Sequence, residues 1–136
     1  MLDVGCGNGR NGAWLAERGA DVVGVDLAAP LLDAVYDSGC FHHLAPHRRI
    51  TYRERILLLL APGGRYAVVA FAQENQPSPP DREVLTSGDL GGGMSFLVED
   101  LERIFAPLRP VEVRRVRDDV PGTFGADFLN AGLFEA

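Results

Sequence analysis

The first ten residues constrain the fold of this chain more than any other stretch. Leu2, Asp3 and Val4 look like the end of a short buried strand, three glycines follow at alternate positions, and residues 9–19 have a helical pattern. A strand that ends in a glycine turn and leads into a helix leaves backbone N–H groups directed at open space. Glycine also lets a ligand approach the backbone closely, because it has no Cβ. The stretch therefore predicts a strand, a ligand-binding loop and a helix.

A second strand is predicted over residues 20–26, and it ends in the carboxylate of Asp26. A carboxylate at the C-terminal end of such a strand can accept two hydrogen bonds from a ribose diol. Strand, glycine loop, helix, strand and acid together predict a pocket for an adenosine-type ligand.

These two motifs resemble those of a known family. Leu-Asp-Val-Gly-Cys-Gly-Asn-Gly, residues 2–9, is similar to the first motif of class I S-adenosylmethionine (SAM) dependent methyltransferases, and Val-Val-Gly-Val-Asp, residues 22–26, is similar to the second. The resemblance implies that the loop glycines line the methionine part of SAM, that Asp26 binds the ribose hydroxyls and that Asp3 lies beneath the loop. The cofactor-binding residues that it implies are Asp3, Gly5, Cys6, Gly7, Asn8, Gly9, Asp26, Leu27 and Phe41.

Two other interpretations of the glycine loop stay open. The first is a structural strand-to-helix turn without a ligand, which the distance from the loop to Asp26 disfavours. Residues 7–12 also match G-x-G-x-x-G, the dinucleotide fingerprint, which would indicate an NAD(P)-binding enzyme. That fingerprint should begin directly after the strand, where Gly5 stands, so the methyltransferase spacing fits better.

The segment after Asp26 is shorter than the family pattern. Only six residues separate Asp26 from residues 33–39, and residues 33–39 look like the family's fourth strand. In the family, strands two and four run parallel on opposite sides of strand one, about 9.6 Å apart, and a five-residue strand is about 17 Å long. Six residues reach at most about 20 Å, and a parallel crossover normally needs a dozen or more. The sequence thus predicts an internal deletion or omission; an antiparallel pairing of residues 33–38 with residues 22–25 is the alternative.

Residues 37–44 form the end of the strand predicted at 33–39 and the loop after it. The resemblance implies that this loop faces the transferred methyl group, with Asp37, His42 and His43 as candidate catalytic residues and Phe41 beside the sulfonium, where an aromatic face stabilises a cation. A neutral histidine could accept a proton from the attacking atom. Cys40 and the three histidines 42, 43 and 47 also permit a zinc site. The simpler alternative is a helix cap and a surface histidine, and no metal is predicted.

The rest of the chain predicts alternating helices and strands. Helical spacing covers residues 46–60, and the phrase Leu-Ala-Pro-Gly-Gly ends that helix before a strand at 65–71. Residues 72–89 predict a loop and residues 91–93 a flexible linker or lid. A second helix at 95–105 precedes two strands, in residues 111–117 and 126–134, expected to form an antiparallel hairpin at the sheet edge.

Composition indicates one globular domain, residues 1–136. The formal net charge is −6, which disfavours nucleic-acid binding through phosphates. Every cationic side chain is arginine, which excludes a lysine Schiff base. Two cysteines without a C-x-x-C motif predict a reducing compartment, and the absence of a signal peptide or a long apolar run predicts a cytoplasmic protein without membrane contact.

The resemblance implies an α/β chain with a Rossmann-like methyltransferase fold: a mostly parallel sheet, a C-terminal antiparallel hairpin and a truncated middle. The implied function is methyl transfer from SAM to a small-molecule acceptor. A non-catalytic remnant that acts as an interaction module is the alternative from another class. An exposed second strand after a deletion would also permit a homodimer.

Overall fold

A computed structural model describes residues 2–4, 10–25, 31–74, 77–119, 121 and 126–136. The chain divides into two compact units, an N-terminal unit of residues 1–31 and a C-terminal unit of residues 32–136. The single domain predicted from composition stays a prediction. The described elements are β1 (Leu2–Val4), α1 (Arg10–Ala16), β2 (Val23–Val25), β3 (Leu32–Ser38), a 3₁₀ turn (Phe41–His43), α2 (Pro46–Leu59), β4 (Leu60–Ala72), α3 (Asp81–Ser87), β5 (Ser95–Phe96), α4 (Val98–Ile104), β6 (Arg109–Arg115) and β7 (Leu129–Glu135).

The N-terminal unit contains the predicted strand–helix–strand motif. Strands β1 and β2 pair in parallel, and α1 lies between them in sequence. Gly19 ends the helical segment in the left-handed conformation, with φ of 84°. Its N–H donates to Ala16 O at 2.9 Å, and that of Ala20 donates to Leu15 O at 3.1 Å, a pattern typical of a glycine C-cap. The predicted helix is thus confirmed, and Gly19 caps its C-terminal end.

The C-terminal unit is built on a five-stranded mixed sheet. Its order is β3-β4-β7-β6, and β5 pairs with the end of β4. The pairings of β3 and β5 with β4 are parallel, whereas β7 runs antiparallel to both β4 and β6. The predicted C-terminal antiparallel hairpin is confirmed. The alternative pairing of residues 33–38 with residues 22–25 does not occur among the described strands, because β3 pairs with β4.

Three segments differ from the sequence prediction. The Leu-Ala-Pro-Gly-Gly phrase ends α2 but already belongs to β4, where Leu60 pairs with Leu32 before a register shift. Helix α3 lies within the predicted loop, and Pro80 precedes it in an extended conformation. Asp81 and Glu83 in its first turn stabilise the helix, because their negative charges lie at the positive end of the helix dipole. Residues 95 and 96 form β5 rather than the start of the next helix, because they add to the edge of β4.

The core of the C-terminal unit is aromatic. Phe41, Tyr66, Phe105 and Phe134 are fully buried. The ring centroids of Phe105 lie 5.2 Å from Phe41, 4.9 Å from Tyr66 and 5.4 Å from Phe134, within the range of favourable aromatic pairs. This cluster packs one face of the sheet against α4 and the segment that follows β3.

Candidate functional site

Most of the predicted cofactor residues lie outside the described residues: Gly5, Cys6, Gly7, Asn8, Gly9, Asp26 and Leu27. Asp3 lies on β1, where it pairs with Gly24 of β2. The next pair in the parallel register is Val4 with Val25. The chain therefore leaves both strands at the same edge of this sheet, directly before the predicted glycine loop and directly before the predicted ribose-binding acid.

Asp37 stands at the end of β3 and is buried, with 6% of its surface exposed. Its Oδ1 accepts hydrogen bonds from the backbone N–H groups of Cys40 at 2.7 Å and Phe41 at 3.4 Å. Its Oδ2 accepts a short hydrogen bond from the hydroxyl of Tyr52. A carboxylate with these donors holds the start of the 3₁₀ turn in place. Asp37 thus anchors the turn that follows β3, and its predicted catalytic role stays a prediction.

Tyr52 is a member of this site that the sequence analysis missed as a functional residue. Its hydroxyl also lies 3.2 Å from that of Tyr66 on β4, so that helix, strand and turn share one hydrogen-bond network. Burial raises the pKa of both phenols, and for Tyr52 the hydrogen bond to Asp37 raises it further. Both hydroxyls thus stay protonated. In the sequence, Tyr52 follows the helical spacing of α2, and this spacing indicates a core residue but no functional role.

Phe41, which the resemblance places beside the sulfonium, is fully buried in this structure. Its side chain has no exposed surface, and its ring packs against Tyr52 at 5.6 Å, Phe96 at 5.0 Å and Phe105 at 5.2 Å. A ring buried on several sides by core residues presents no free face to a sulfonium. In this structure Phe41 anchors the turn in the core.

The two predicted catalytic histidines are adjacent but differ in exposure. His42 is buried and stacks on Phe71, with ring centroids 3.8 Å apart, whereas His43 is exposed and meets Phe71 edge-on. Their Nε2 atoms lie 3.1 Å apart, so one ring donates a hydrogen bond to the other. Burial lowers the pKa of His42, as does the nearby His43, while Asp37 acts in the opposite direction. His42 is therefore neutral at pH 7, and its Nδ1 is buried without a hydrogen-bond partner among the described residues.

The glycine-rich segment contacts this histidine pair. A Cβ on Gly93, whose φ is 148°, would lie 2.7 Å from Cε2 of Phe71, so the close approach requires glycine. The next residue, Met94, donates its N–H to the carbonyl of His42 at 2.6 Å. The predicted lid segment is thus hydrogen-bonded to the turn that carries the histidines.

The described part of the chain offers no convergent metal ligands: no group of three His, Cys, Asp or Glu side chains there is arranged to hold an ion. Cys40 is a free thiol whose pKa is raised by burial and by Asp37. The zinc alternative therefore gains no support from this geometry.

Comparison with known proteins adds the family context. Residues 1–37 match the family model of a methyltransferase domain. An uncharacterised methyltransferase of Mycobacterium tuberculosis is 33% identical over 100 aligned positions, covering 52% of this chain and 50% of that protein. A 2-heptyl-1-hydroxyquinolin-4(1H)-one methyltransferase of Mycobacteroides abscessus is 26% identical over 113 positions, covering 60% of this chain and 49% of that protein. The chain spans about half the length of these two relatives.

Solved methyltransferase structures superimpose on nearly the whole chain. The 1,6-didemethyltoxoflavin-N1-methyltransferase of Burkholderia thailandensis, with bound 1,6-didemethyltoxoflavin and S-adenosylhomocysteine, has a TM-score of 0.56 at 23% identity and covers 98% of this chain and 69% of that one. A SAM-dependent methyltransferase of Mesorhizobium loti gives 0.55 at 14% identity, covering 99% and 89%. The chain has the class I methyltransferase fold. The Rossmann-like α/β fold class and the family resemblance seen in the sequence are thereby confirmed.

The lengths of these alignments also bear on the predicted internal deletion. The 100 aligned positions shared with the mycobacterial methyltransferase take in 52% of 136 residues, about 71. For the quinolone methyltransferase, 113 positions take in 60%, about 82 residues. Each relative thus has about thirty extra residues inside the aligned span of this methyltransferase-like chain. That difference agrees with the predicted internal deletion.

Among the described residues, no helix is both long and apolar enough to cross a membrane.

Proposed function

We propose that this chain transfers a methyl group from SAM to a small-molecule acceptor. The observation that carries the proposal is the match of residues 1–37 to a methyltransferase domain, which ends at Asp37, the residue that holds the histidine turn. The names of two similar proteins, the quinolone and the didemethyltoxoflavin methyltransferases, support a small heterocyclic acceptor. The net charge of −6 supports a small molecule over a nucleic acid.

On the donor side, the residues that would hold SAM are the loop glycines Gly5, Gly7 and Gly9 for the methionine part and Asp26 for the ribose. The parallel register of β1 and β2 fits this assignment, because the chain leaves both strands at one edge directly before Gly5 and directly before Asp26. Ligands of open α/β sheets bind outside the carboxyl ends of the strands. When bound, SAM supplies a methyl group already activated by its sulfonium, so the protein needs no covalent nucleophile.

On the acceptor side, we assign His43 as the proton acceptor. It is exposed, and its Nε2 is hydrogen-bonded to the buried His42. His42 and Asp37 are positioning residues: the first stacks on Phe71 and fixes the neighbouring ring, and the second fixes the turn through two backbone N–H groups. A base that removes the proton from the attacking O, N or S atom, as that atom bonds to the methyl carbon, typically raises the rate of the reaction 10²–10⁴-fold.

The test is transfer of an isotopic label. The purified chain is incubated with methyl-labelled SAM and a mixture of small acceptors that carry phenol, ring nitrogen or thiol groups, and mass spectrometry locates the label. We expect one acceptor class to gain the label. His43→Gln should lower kcat by roughly a hundredfold, with little effect on the KM for SAM.

The matched control is His47→Gln, since His47 is an exposed histidine in the first turn of α2. It should retain wild-type kcat. Equal loss in both variants, or none in His43→Gln, would refute the role of His43. Absence of labelled product from a chain that binds SAM would refute transfer to these acceptors and favour the non-catalytic alternative.

A further inference from the structure

The C-terminal unit contains a cavity of about 660 Å³ that lies outside the histidine turn. Its walls come from α2, from residues 78–81 before and at the start of α3, from residues 94–96 and from α4. A volume of this size is within the range of small-molecule sites. Three arginines, 49, 53 and 103, and two aspartates, 81 and 100, line it.

Arg49 is the most buried of these charges, with 8% of the residue exposed. Its Nη1 donates to both carboxylate oxygens of Asp81, at 3.0 and 3.2 Å, and its Nε donates to Leu44 O at 3.3 Å. The guanidinium lies 5.0 Å from the ring centroid of Phe96. Arg49 lines the cavity, and its Nη2 is buried without a partner among the described residues. A buried guanidinium is costly unless its N–H groups are bonded, so the free Nη2 indicates a missing acceptor.

Arg53 lies one helical turn further along the same face of α2. Its Nε is also buried without a hydrogen-bond partner, and it makes no ion pair within the described part of the chain. Arg103 pairs with Asp100, and Arg49 with Asp81, so the charge of Arg53 is the one that the cavity leaves uncompensated. Two like charges four residues apart repel one another unless an anion lies between them.

We propose that this cavity binds a carboxylate or phosphate group of a small organic molecule, through the guanidinium groups of Arg49 and Arg53. Guanidinium groups bind these anions by paired, charge-assisted hydrogen bonds. Met94 lines the cavity and donates its N–H to His42 O, so the cavity adjoins the histidine turn. This identification rests on the proposed function: the molecule that occupies the cavity is the methyl acceptor, and the acceptor is therefore an anionic small molecule.

The experiment follows the arginine Nε–Hε signals of the ¹⁵N-labelled chain by NMR. Inorganic phosphate, benzoate and neutral benzamide are titrated separately at constant ionic strength. We expect saturable shifts at Arg49 and Arg53 with phosphate or benzoate, and the anion that binds more tightly identifies the group. Arg53→Gln should weaken binding of that anion at least tenfold, while Arg53→Lys, which keeps the charge, should restore part of it.

The matched control is Arg55→Gln, because Arg55 is an exposed arginine of the same helix. It should bind the anion as the wild type does, and circular dichroism checks the fold of each variant. Shifts that stay linear for all arginines, tighter binding of benzamide, or unchanged affinity in Arg53→Gln would overturn the proposal. S-adenosylhomocysteine is titrated into the same wild-type sample. If S-adenosylhomocysteine binds and the anions do not, only the cavity assignment is overturned. If an anion binds and S-adenosylhomocysteine does not, the result contradicts the methyltransferase function and leaves an anion site.

Discussion

Replacing Tyr52 by phenylalanine tests the network that holds the histidine turn. The change keeps the ring that packs on Phe41 and removes only the hydroxyl, which donates to the buried carboxylate of Asp37 and lies 3.2 Å from that of Tyr66. A hydrogen bond to a charged group contributes about 1.5–3 kcal/mol, and both remaining partners stay buried. We expect Tyr52→Phe to lower the free energy of unfolding by about 2 kcal/mol.

The matched control is Tyr36→Phe on β3. Tyr36 is 69% exposed, so loss of its hydroxyl should change the free energy of unfolding by less than about 0.5 kcal/mol. Urea unfolding is followed by far-ultraviolet circular dichroism, because the one tryptophan, Trp14, lies in the N-terminal unit. The m value should not change. Equal stability of the two variants would refute the network.

A double-mutant cycle with Asp37→Asn separates the pair from its surroundings. If the hydroxyl of Tyr52 bonds to the carboxylate, the two substitutions should be coupled by at least about 1 kcal/mol. Additive effects would mean that each side chain stabilises the unit independently, which contradicts the geometry described here.

Three further predictions concern the same unit. Burial lowers the pKa of His42 below 6.5, so just below that pH the unfolded chain binds more protons than the folded chain. The contribution of neutral His42 to the free energy of unfolding is therefore complete above pH 6.5 and falls with acidification. His42→Gln should flatten this fall below about pH 6.5 in urea unfolding, and an unchanged fall would contradict the prediction. Gly132→Ala puts a Cβ 2.6 Å from Cε2 of the fully buried Phe134, so the Tm should drop by an amount corresponding to about 1–3 kcal/mol; an unchanged Tm would refute the contact. Asn130→Leu removes the donor to Phe96 O at 2.9 Å and should cost about 1–3 kcal/mol in urea unfolding; a loss under about 0.5 would contradict that bond.

Elements with strong local patterns were predictable from the sequence. The helical spacing predicted α2, and Pro62 and Gly63 marked its end to within a few residues. What local pattern could not show is that residues 60–64 continue into β4, since this depends on pairing with Leu32. Helix α3 was missed because the prolines that precede it suggested a loop, although Pro80 and Asp81 form a favourable helix start.

The sequence predicted that Asp37 and the two histidines lie together after β3, but it did not predict what they contact. Asp37 and the two histidines were found from their position after β3, whereas the bond to Tyr52 joins residues fifteen apart, and the pair of Arg49 and Asp81 joins residues thirty-two apart. Such contacts depend on tertiary packing. The burial of Phe41 could not be predicted for the same reason: an aromatic ring beside a site and an aromatic ring in the core have the same local sequence.

Calorimetric titration of the purified chain with S-adenosylhomocysteine tests whether the chain binds the product that SAM leaves after methyl transfer. We expect saturable binding with one site per chain, weakened in Asp26→Ala by about 1.5–3 kcal/mol through loss of charge-assisted hydrogen bonds, and unchanged in Asp118→Ala, an exposed aspartate of the C-terminal unit. The absence of binding heat from a chain that circular dichroism shows to be folded, or equal affinity in Asp26→Ala and wild type, would contradict this expectation.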